Sequence, residues 1–581
     1  MKITKKIFLT VYILTGLLFS SCETMELDQL EDPSGVPANL LEPAFAFNYV
    51  QLQLPKYVYS ANSFTQQVTR QMAMTGGNTY ENAYAPVNFN TNWSQAYNIL
   101  QTVKLMEPKS LQNEEYYALG AAKVIRAYVL VSLADTYGDI PMSEALLGNE
   151  NLKPKFDNSS DVYKNVLLEL DEAITMLGKT NSPASKVQDL YYTSQANWIT
   201  LAKTIKLKMY FNARLAGSEI GVSDIAGAIN SILTEGDYIN DASKDFAFKY
   251  GNSRTTPNTR HPMYNDQYEL GGGAYIGNYM MWAMTTEKVG IAAAYNSIAS
   301  HRSMKDPRVS LYFFKQDPNP ADEDQFTLPN RIRPDHYNNS EYNSFFDGTT
   351  RTPFKVSNWT GGSLISNGFW GRDHGDNSGI PPDENKRTVV GIYPAGGAYG
   401  SAGSVQNSGR DGGLGAGIMP IILSSYVHFM KAEAILTLGV AGNARTEFSS
   451  GIEDSMKKAI NLFDIDVIVK YNQTEKSALE NKVGPYINDM LAVYDAADNA
   501  KKLELIIKEY YIAAWGNGFE PYNNYRRTGY PTNFQPTLEP ISGAFYNTAL
   551  YPSVSVVNNP NAPTNVRTKK VFWDKANVVL H

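Results

Sequence analysis

Cysteine is almost absent: the chain has one in 581 residues, at position 22. No disulfide can form within it, so a life outside the cytoplasm must rest on packing alone. Histidine is scarce too, with six scattered along the chain and no His-Glu-x-x-His pair or Cys/His cluster to hold zinc. No nucleotide loop stands out either. The glycines at 412–417 follow no predicted strand and precede no Lys-Ser/Thr pair, so they read as a flexible lead into a helix opening at Pro420. Positive charge is not in excess. Lys and Arg total 51 against 58 Asp and Glu, for a net charge of −7. That balance gives no footprint for nucleic acid or an anionic membrane surface.

What is present begins at the N-terminus. Lys2, Lys5 and Lys6 precede an apolar run at 7–19, then Ser20 and Ser21. This is the pattern of a secretory signal peptide over residues 1–21, and the run is short for a membrane span. Its removal takes three lysines and no acid, leaving −10 from the −7 of the whole chain. A cysteine directly after the small pair resembles a bacterial lipoprotein signal, in which Cys22 is lipidated and becomes the mature N-terminus. Leu18 lies one place farther from Cys22 than that pattern asks. Residues 22–38 carry Glu23, Glu26, Asp28, Glu31 and Asp32 with no base, and read as a lipidated flexible tether. Acids just behind a lipidated cysteine resemble the surface-export signal of Bacteroidetes lipoproteins.

Residues 39–581 read as a single domain, mainly α. Its helical scaffold covers 39–235 and 418–530, and a loop-rich region fills 236–417. Residues 39–53 and 62–74 read as two helices, the first capped by Asn39. Residues 92–106 place Trp93, Ala96, Tyr97, Leu100 and Val103 at helical spacing. The helix at 113–138 is nearly apolar from 118 to 134, as a helix buried on most sides is. Residues 159–177 open on a serine cap with a Val162–Val166–Leu170–Ile174 stripe, and 193–217 pair with them and stop on Gly217. These are degenerate tetratricopeptide-like helical pairs; Tyr116, Leu119 and Gly120 fit the opening of that repeat loosely. Helix returns at 419–439 and 503–518. Between the two scaffold parts, Gly, Asn, Pro, Ser and aromatic residues interleave without helical period. A long irregular stretch rich in rings points to function rather than disorder.

Four segments in order resemble the SusD/RagB-type nutrient-binding outer-membrane lipoproteins. They are "ADTYGDIPMSEAL" at 134–146, "YKNVLLELDEAITML" at 163–177, "MPIILSSYVHFMKAEAIL" at 419–436, and "GFEPYNNYRRTGYP" at 518–531, the last resembling an Arg-Arg-Thr-Gly subgroup. Ser424-Ser425-Tyr426 departs from the Thr-Tyr-Ala-Glu usual there. On their own chemistry these motifs read as structural: Gly138 and Pro141 end a helix, and Glu433 with Arg526 and Arg527 suits buried ion pairs. The resemblance implies a surface protein of the outer membrane that captures an oligosaccharide, or a peptide, and delivers it to a TonB-dependent (SusC-like) transporter. It further implies that helical pairs at 90–217 face the transporter, while the loops at 236–417 and the segment before Trp93 hold the ligand.

A sugar site needs aromatic platforms with polar neighbours. Residues 76–93 supply that mixture, and Tyr80, Asn82, Tyr84 and Trp93 are candidate ligand contacts, although Trp93 also fits the apolar face of its helix. Trp359 and Trp370, among Gly and Asn, join them, whereas Trp282 in "MMWAM" reads as core. No catalytic residue and no cofactor is expected. Asp373, Asp376 and Asp383 could offer oxygen to Ca²⁺ but lack EF-hand spacing. The 58 acids leave paired carboxylates for glycoside hydrolysis undecided. A surface glycoside hydrolase and an adhesion or scaffold lipoprotein therefore stay as alternatives.

Overall fold

The first helix among the described residues, α1 (Pro43–Val68), runs on through Pro55, where two helices were expected. Proline lacks the N–H that would bond the carbonyl four residues back. The Tyr191 hydroxyl donates to that Gln51 carbonyl at 3.1 Å instead, so the break is repaired from outside the helix. The computed structural model describes residues 41–74, 79–179, 187–285, 288, 306–316, 369, 371–375, 387–400, 408–465, 473–535, 537, 545–557 and 559–576. Pro43–His581 form one compact unit. The expected cap Asn39, the expected lipidation site Cys22 and the expected tether lie outside the described residues.

After α1 come α2 (Asn90–Gln112), α3 (Tyr116–Tyr137), α4 (Ser159–Leu177), α5 (Gln195–Asn212) and α6 (Ile225–Glu235). Each packs on the next, as helical pairs do. The apolar helix α3 has the length and composition of a membrane span, yet its apolar stretch is 94% buried inside the body. It is the core helix. Helix α5 ends at Asn212, short of Gly217, which opens a 3₁₀ turn.

The Tyr137-Gly138-Asp139 turn is structural in a way that its sequence only half shows. Gly138 has φ +86°, a region other residues avoid, and ends α3. Asp139 then accepts the Ser159 N–H at 3.0 Å, so the first turn of α4 is capped from the preceding turn and not by its own serine.

In the middle of the chain, α7 (Asn278–Met284) carries Trp282 in the core, 4% exposed. Among the described residues, three two-stranded antiparallel sheets tie this region down. They pair β1 (Met72–Ala73) with β3 (Tyr275–Ile276), β2 (Phe246–Lys249) with β6 (Ile418–Ile422), and β4 (Phe313–Phe314) with β5 (Val389–Val390). Pro420 therefore lies in a strand opposite Ala247, not in a first helical turn. Its fixed φ suits an extended chain, and all five β6 residues are buried. The glycines before it are packed rather than a loose lead. A Cβ on Gly417 would sit 2.0 Å from the Pro394 carbonyl oxygen, so only glycine lets the two backbones approach.

Helix α8 (Ser424–Leu438) begins where Asp245 accepts the Ser424 N–H at 2.6 Å. It is followed by α9 (Ala444–Ile460), α10 (Gln473–Ala496), α11 (Asn499–Ala513) and α12 (Phe519–Thr528). Helix α12 places the two arginines in the interior with different partners. Arg527 makes a two-pronged pair with Glu433 at 3.1 and 2.8 Å, and further bonds to Asn212 and Asn524. Among the described residues Arg526 has no such carboxylate. Its guanidinium lies 3.8 Å from the Tyr522 ring centroid and 5.0 Å from that of Trp573, and donates to Asn547 and Asn523. Trp573, near the end of the chain, is 1% exposed in a turn, and its indole N–H reaches Asp135 at 2.8 Å.

Candidate functional site

An open cleft of about 480 Å³ lies between the scaffold and the loop region. One wall is a single face of α1, with Lys56, Tyr59, Ser60, Ser63, Gln66 and Gln67. The start of α2 adds Thr91 and Gln95, and the opposite wall is the 262–274 segment with Pro262, Met263, Asp266, Gly273 and Ala274. The α1 residues recur at intervals of three and four, which stacks them on one side of the helix. The facing segment is shaped by a π-helical turn, Asn265–Glu269, and by the β1–β3 pairing beyond it.

Most polar groups around the cleft already have partners. Asn62 bridges the Gly516 carbonyl and the Gly518 N–H, and Gln267 bridges Ala274 and Val390. Tyr59 donates to Asp266 at 2.5 Å across the cleft. Burial, with the Asp266 charge second, pushes that phenol well above its usual range. Ser60 donates to Gln95 Oε1 at 2.7 Å, and Tyr84 donates to Gln67 Oε1 at 3.3 Å. These two bonds fix the amides with their carbonyl ends spent. Among the described residues nothing accepts from Gln67 Nε2, Gln95 Nε2 or Lys56 Nζ, so three donors are open to a ligand. His261 packs edge-on against the Tyr59 ring, and its pKa is lowered to about 3 by burial, so it stays neutral.

The residues expected to contact ligand fall in different places. Tyr80 and Tyr84 are 3% and 1% exposed and belong to an edge-to-face cluster with Phe64 and Tyr546. The Tyr80 hydroxyl meets His374 Nε2 at 2.9 Å. Tyr84 stands behind the cleft wall and acts on it through Gln67. Asn82 is exposed, its carbonyl accepting from Asn88. Trp93 is 7% exposed between Tyr97 and Tyr137, and its edge lines a separate cavity of about 220 Å³ with Pro141, Leu146 and Val554. Trp359 and Trp370 lie outside the described residues, as do Asp376 and Asp383. Asp373 is buried, accepting from Gln535 at 2.7 Å. Among the described residues no group of three or more His, Cys, Asp or Glu side chains could hold a metal.

The α1 face was missed in the sequence, although its signal is there. Lys56, Tyr59, Ser60, Ser63 and Gln67 make a polar stripe at helical spacing opposite the buried Tyr57, Val58, Ala61, Phe64 and Val68, which is the mark of a side facing a solvent-filled space.

Comparison with known sequences identifies the lineage. Residues 36–327 match the family described as starch-binding associating with outer membrane, and residues 418–561 match the SusD and RagB outer membrane lipoproteins. The chain belongs to the SusD/RagB family. Solved SusD/RagB structures share the fold. A SusD/RagB protein from Bacteroides thetaiotaomicron has a TM-score of 0.61 at 18% identity, over 91% of this chain and 99% of that one. A SusD homologue from Bacteroides fragilis gives 0.59 at 16%, over 90% and 99%. A chitin-binding SusD homologue from Flavobacterium johnsoniae gives 0.56 at 17%, over 92% and 98%. No curated protein matches the sequence. Family membership makes this an outer-membrane nutrient-binding protein of the SusD type.

Proposed function

We propose that the cleft between α1 and the 262–274 segment captures an oligosaccharide, which the protein hands uncleaved to a TonB-dependent outer-membrane transporter. Lipid on Cys22 would hold it at the outer face of the outer membrane. The observation that carries this reading is the set of open donors, Gln67 Nε2, Gln95 Nε2 and Lys56 Nζ, facing Asp266 across about 480 Å³. Sugar hydroxyls accept and donate in turn, and a pre-fixed amide meets them at little entropic cost. Asp266 is the one carboxylate in the described lining, whereas glycoside hydrolysis ordinarily uses two flanking the bond. Binding is therefore favoured over cleavage.

Starch and chitin fragments are the first probes, since the family description and a related structure name those polymers. Calorimetric titration of the full-length protein in detergent, with chromatography of the same samples, is expected to show binding without shorter products. Gln67→Ala is expected to weaken that binding. Release of shorter sugars would make the protein a hydrolase, and binding confined to peptides would replace the ligand class.

A further inference from the structure

The face of α1 that lines the cleft does not end at Lys56. Toward the N-terminus the same side of the helix carries Leu52, Tyr49 and Phe45, which are 46%, 40% and 72% exposed. Their spacing from Lys56 back to Phe45 is four, three and four residues. Such intervals keep them on one stripe, within about a third of the helix circumference shared with Tyr59, Ser63 and Gln67. On the inner side of this part of α1, Ala46, Phe47, Val50, Gln51 and Leu54 are buried, and Ala44, Asn48 and Gln53 on its flanks are half-buried. The stripe thus exposes large apolar side chains opposite a buried apolar face, and it meets the cleft at Lys56.

Resting on the reading of the cleft as a sugar site, we propose that Phe45, Tyr49 and Leu52 form an external extension of it. The extension binds further units of a linear polysaccharide whose end or middle lies in the cleft. Two features favour a ligand here. The first is continuity, because Lys56 belongs to the cleft lining and is the next stripe residue after Leu52. The second is the complementary division of chemistry. The cleft wall on α1 has hydrogen-bonding groups and a single ring, Tyr59, itself tied to Asp266. The platforms that sugar faces need stand just outside, Phe45 and Tyr49 one helical turn apart, about 6 Å along the axis. From Phe45 to Lys56 the stripe is about 16 Å long, more than one sugar ring covers.

The test is the dependence of affinity on chain length. Full-length protein in detergent is titrated with a ladder of chito- and malto-oligosaccharides from dimers upward, beside Phe45→Ala/Tyr49→Ala and, separately, Gln95→Ala. Both altered rings in the double variant are exposed, so the fold is expected to survive. Wild-type affinity should climb with length. The double variant should leave the shortest binding oligomer unchanged and lose about tenfold for the longest, flattening the climb. Gln95→Ala should weaken every length alike. A double variant that follows the wild-type curve overturns the extension while leaving the cleft intact. A wild type that binds no member of the ladder overturns the sugar reading of the cleft and the extension with it. If the double variant binds sugars normally but loses a co-purifying membrane protein, or exposes residues 22–38 to protease, the stripe is a protein contact and the proposal fails.

Discussion

The Arg527–Glu433 junction and the α1 cleft are built from the same kinds of side chain and finished in opposite ways. At the junction, Arg527 is matched by Glu433, Asn212 and Asn524, all buried. Nearby Asp135 accepts from Tyr163 at 2.6 Å, Asn523 at 2.7 Å and Trp573 at 2.8 Å. In the cleft, the amides of Gln67 and Gln95 are held by one bond each, and their N–H groups have no acceptor among the described residues. An interior polar group must be matched because an unmatched one costs its full desolvation. A cleft group can wait for a ligand because water satisfies it meanwhile. The Arg527–Glu433 pair is closed within the chain itself, whereas Gln67 and Gln95 keep a donor for the ligand proposed here.

That contrast can be broken at several points. The largest effect is expected for Glu433→Ala, which strands a buried Arg527. It should cost about 3–5 kcal/mol in urea unfolding, and a midpoint like wild type would mean that the junction holds nothing. Acid should act next on a second buried network. Glu509, between Lys288 and Arg308, has its pKa lowered from 4.5 to about 2, where those cations outweigh its burial. Its ionised form is favoured in the folded state, so its contribution is complete above 4.5 and is lost as pH falls toward 2. Unfolding midpoints measured down that range should drop for wild type and fall less steeply for Glu509→Gln. Tyr163→Phe removes one of the Asp135 bonds and should lower stability by about 1–2 kcal/mol, read from thermal melts. The smallest change in stability is expected in the cleft. Gln95→Ala should shift the melt by less than about 0.5 kcal/mol. The same change should weaken sugar binding by about 0.5–1.5 kcal/mol, and a large loss of stability instead would assign Gln95 to the scaffold.

The scaffold was legible because helical periodicity is local. The stripes of α2, α3 and α4 were visible from their spacing, and so was the special turn at Gly138. Errors fell where a distant residue decides. Pro55 stays inside α1 because Tyr191, far along the chain, takes the freed carbonyl. Pro420 lies in a strand because β2 is there to pair with it. The loop region and the segment before Trp93 were expected to hold the ligand; from them 262–274 and Thr91 line the cleft proposed as the site, whose longest wall is on α1. Tyr80 and Tyr84 carried the right composition for a sugar platform, yet lie packed against Phe64 and Tyr546. A ring in a polar loop looks the same in sequence whether it faces water or other rings.

The sequence by itself determined the helical class, the core helix α3, the family motifs and the absence of disulfide chemistry. All of these depend on residue identity and short-range spacing. Only the tertiary structure decided which polar groups are saturated, which arginine of the Arg526–Arg527 pair meets a carboxylate, and which face of α1 is left open. The physical reason is that saturation is a property of pairs brought together from far apart in the chain. Glu433 and Arg527 are 94 residues apart, and Tyr59 and Asp266 are 207.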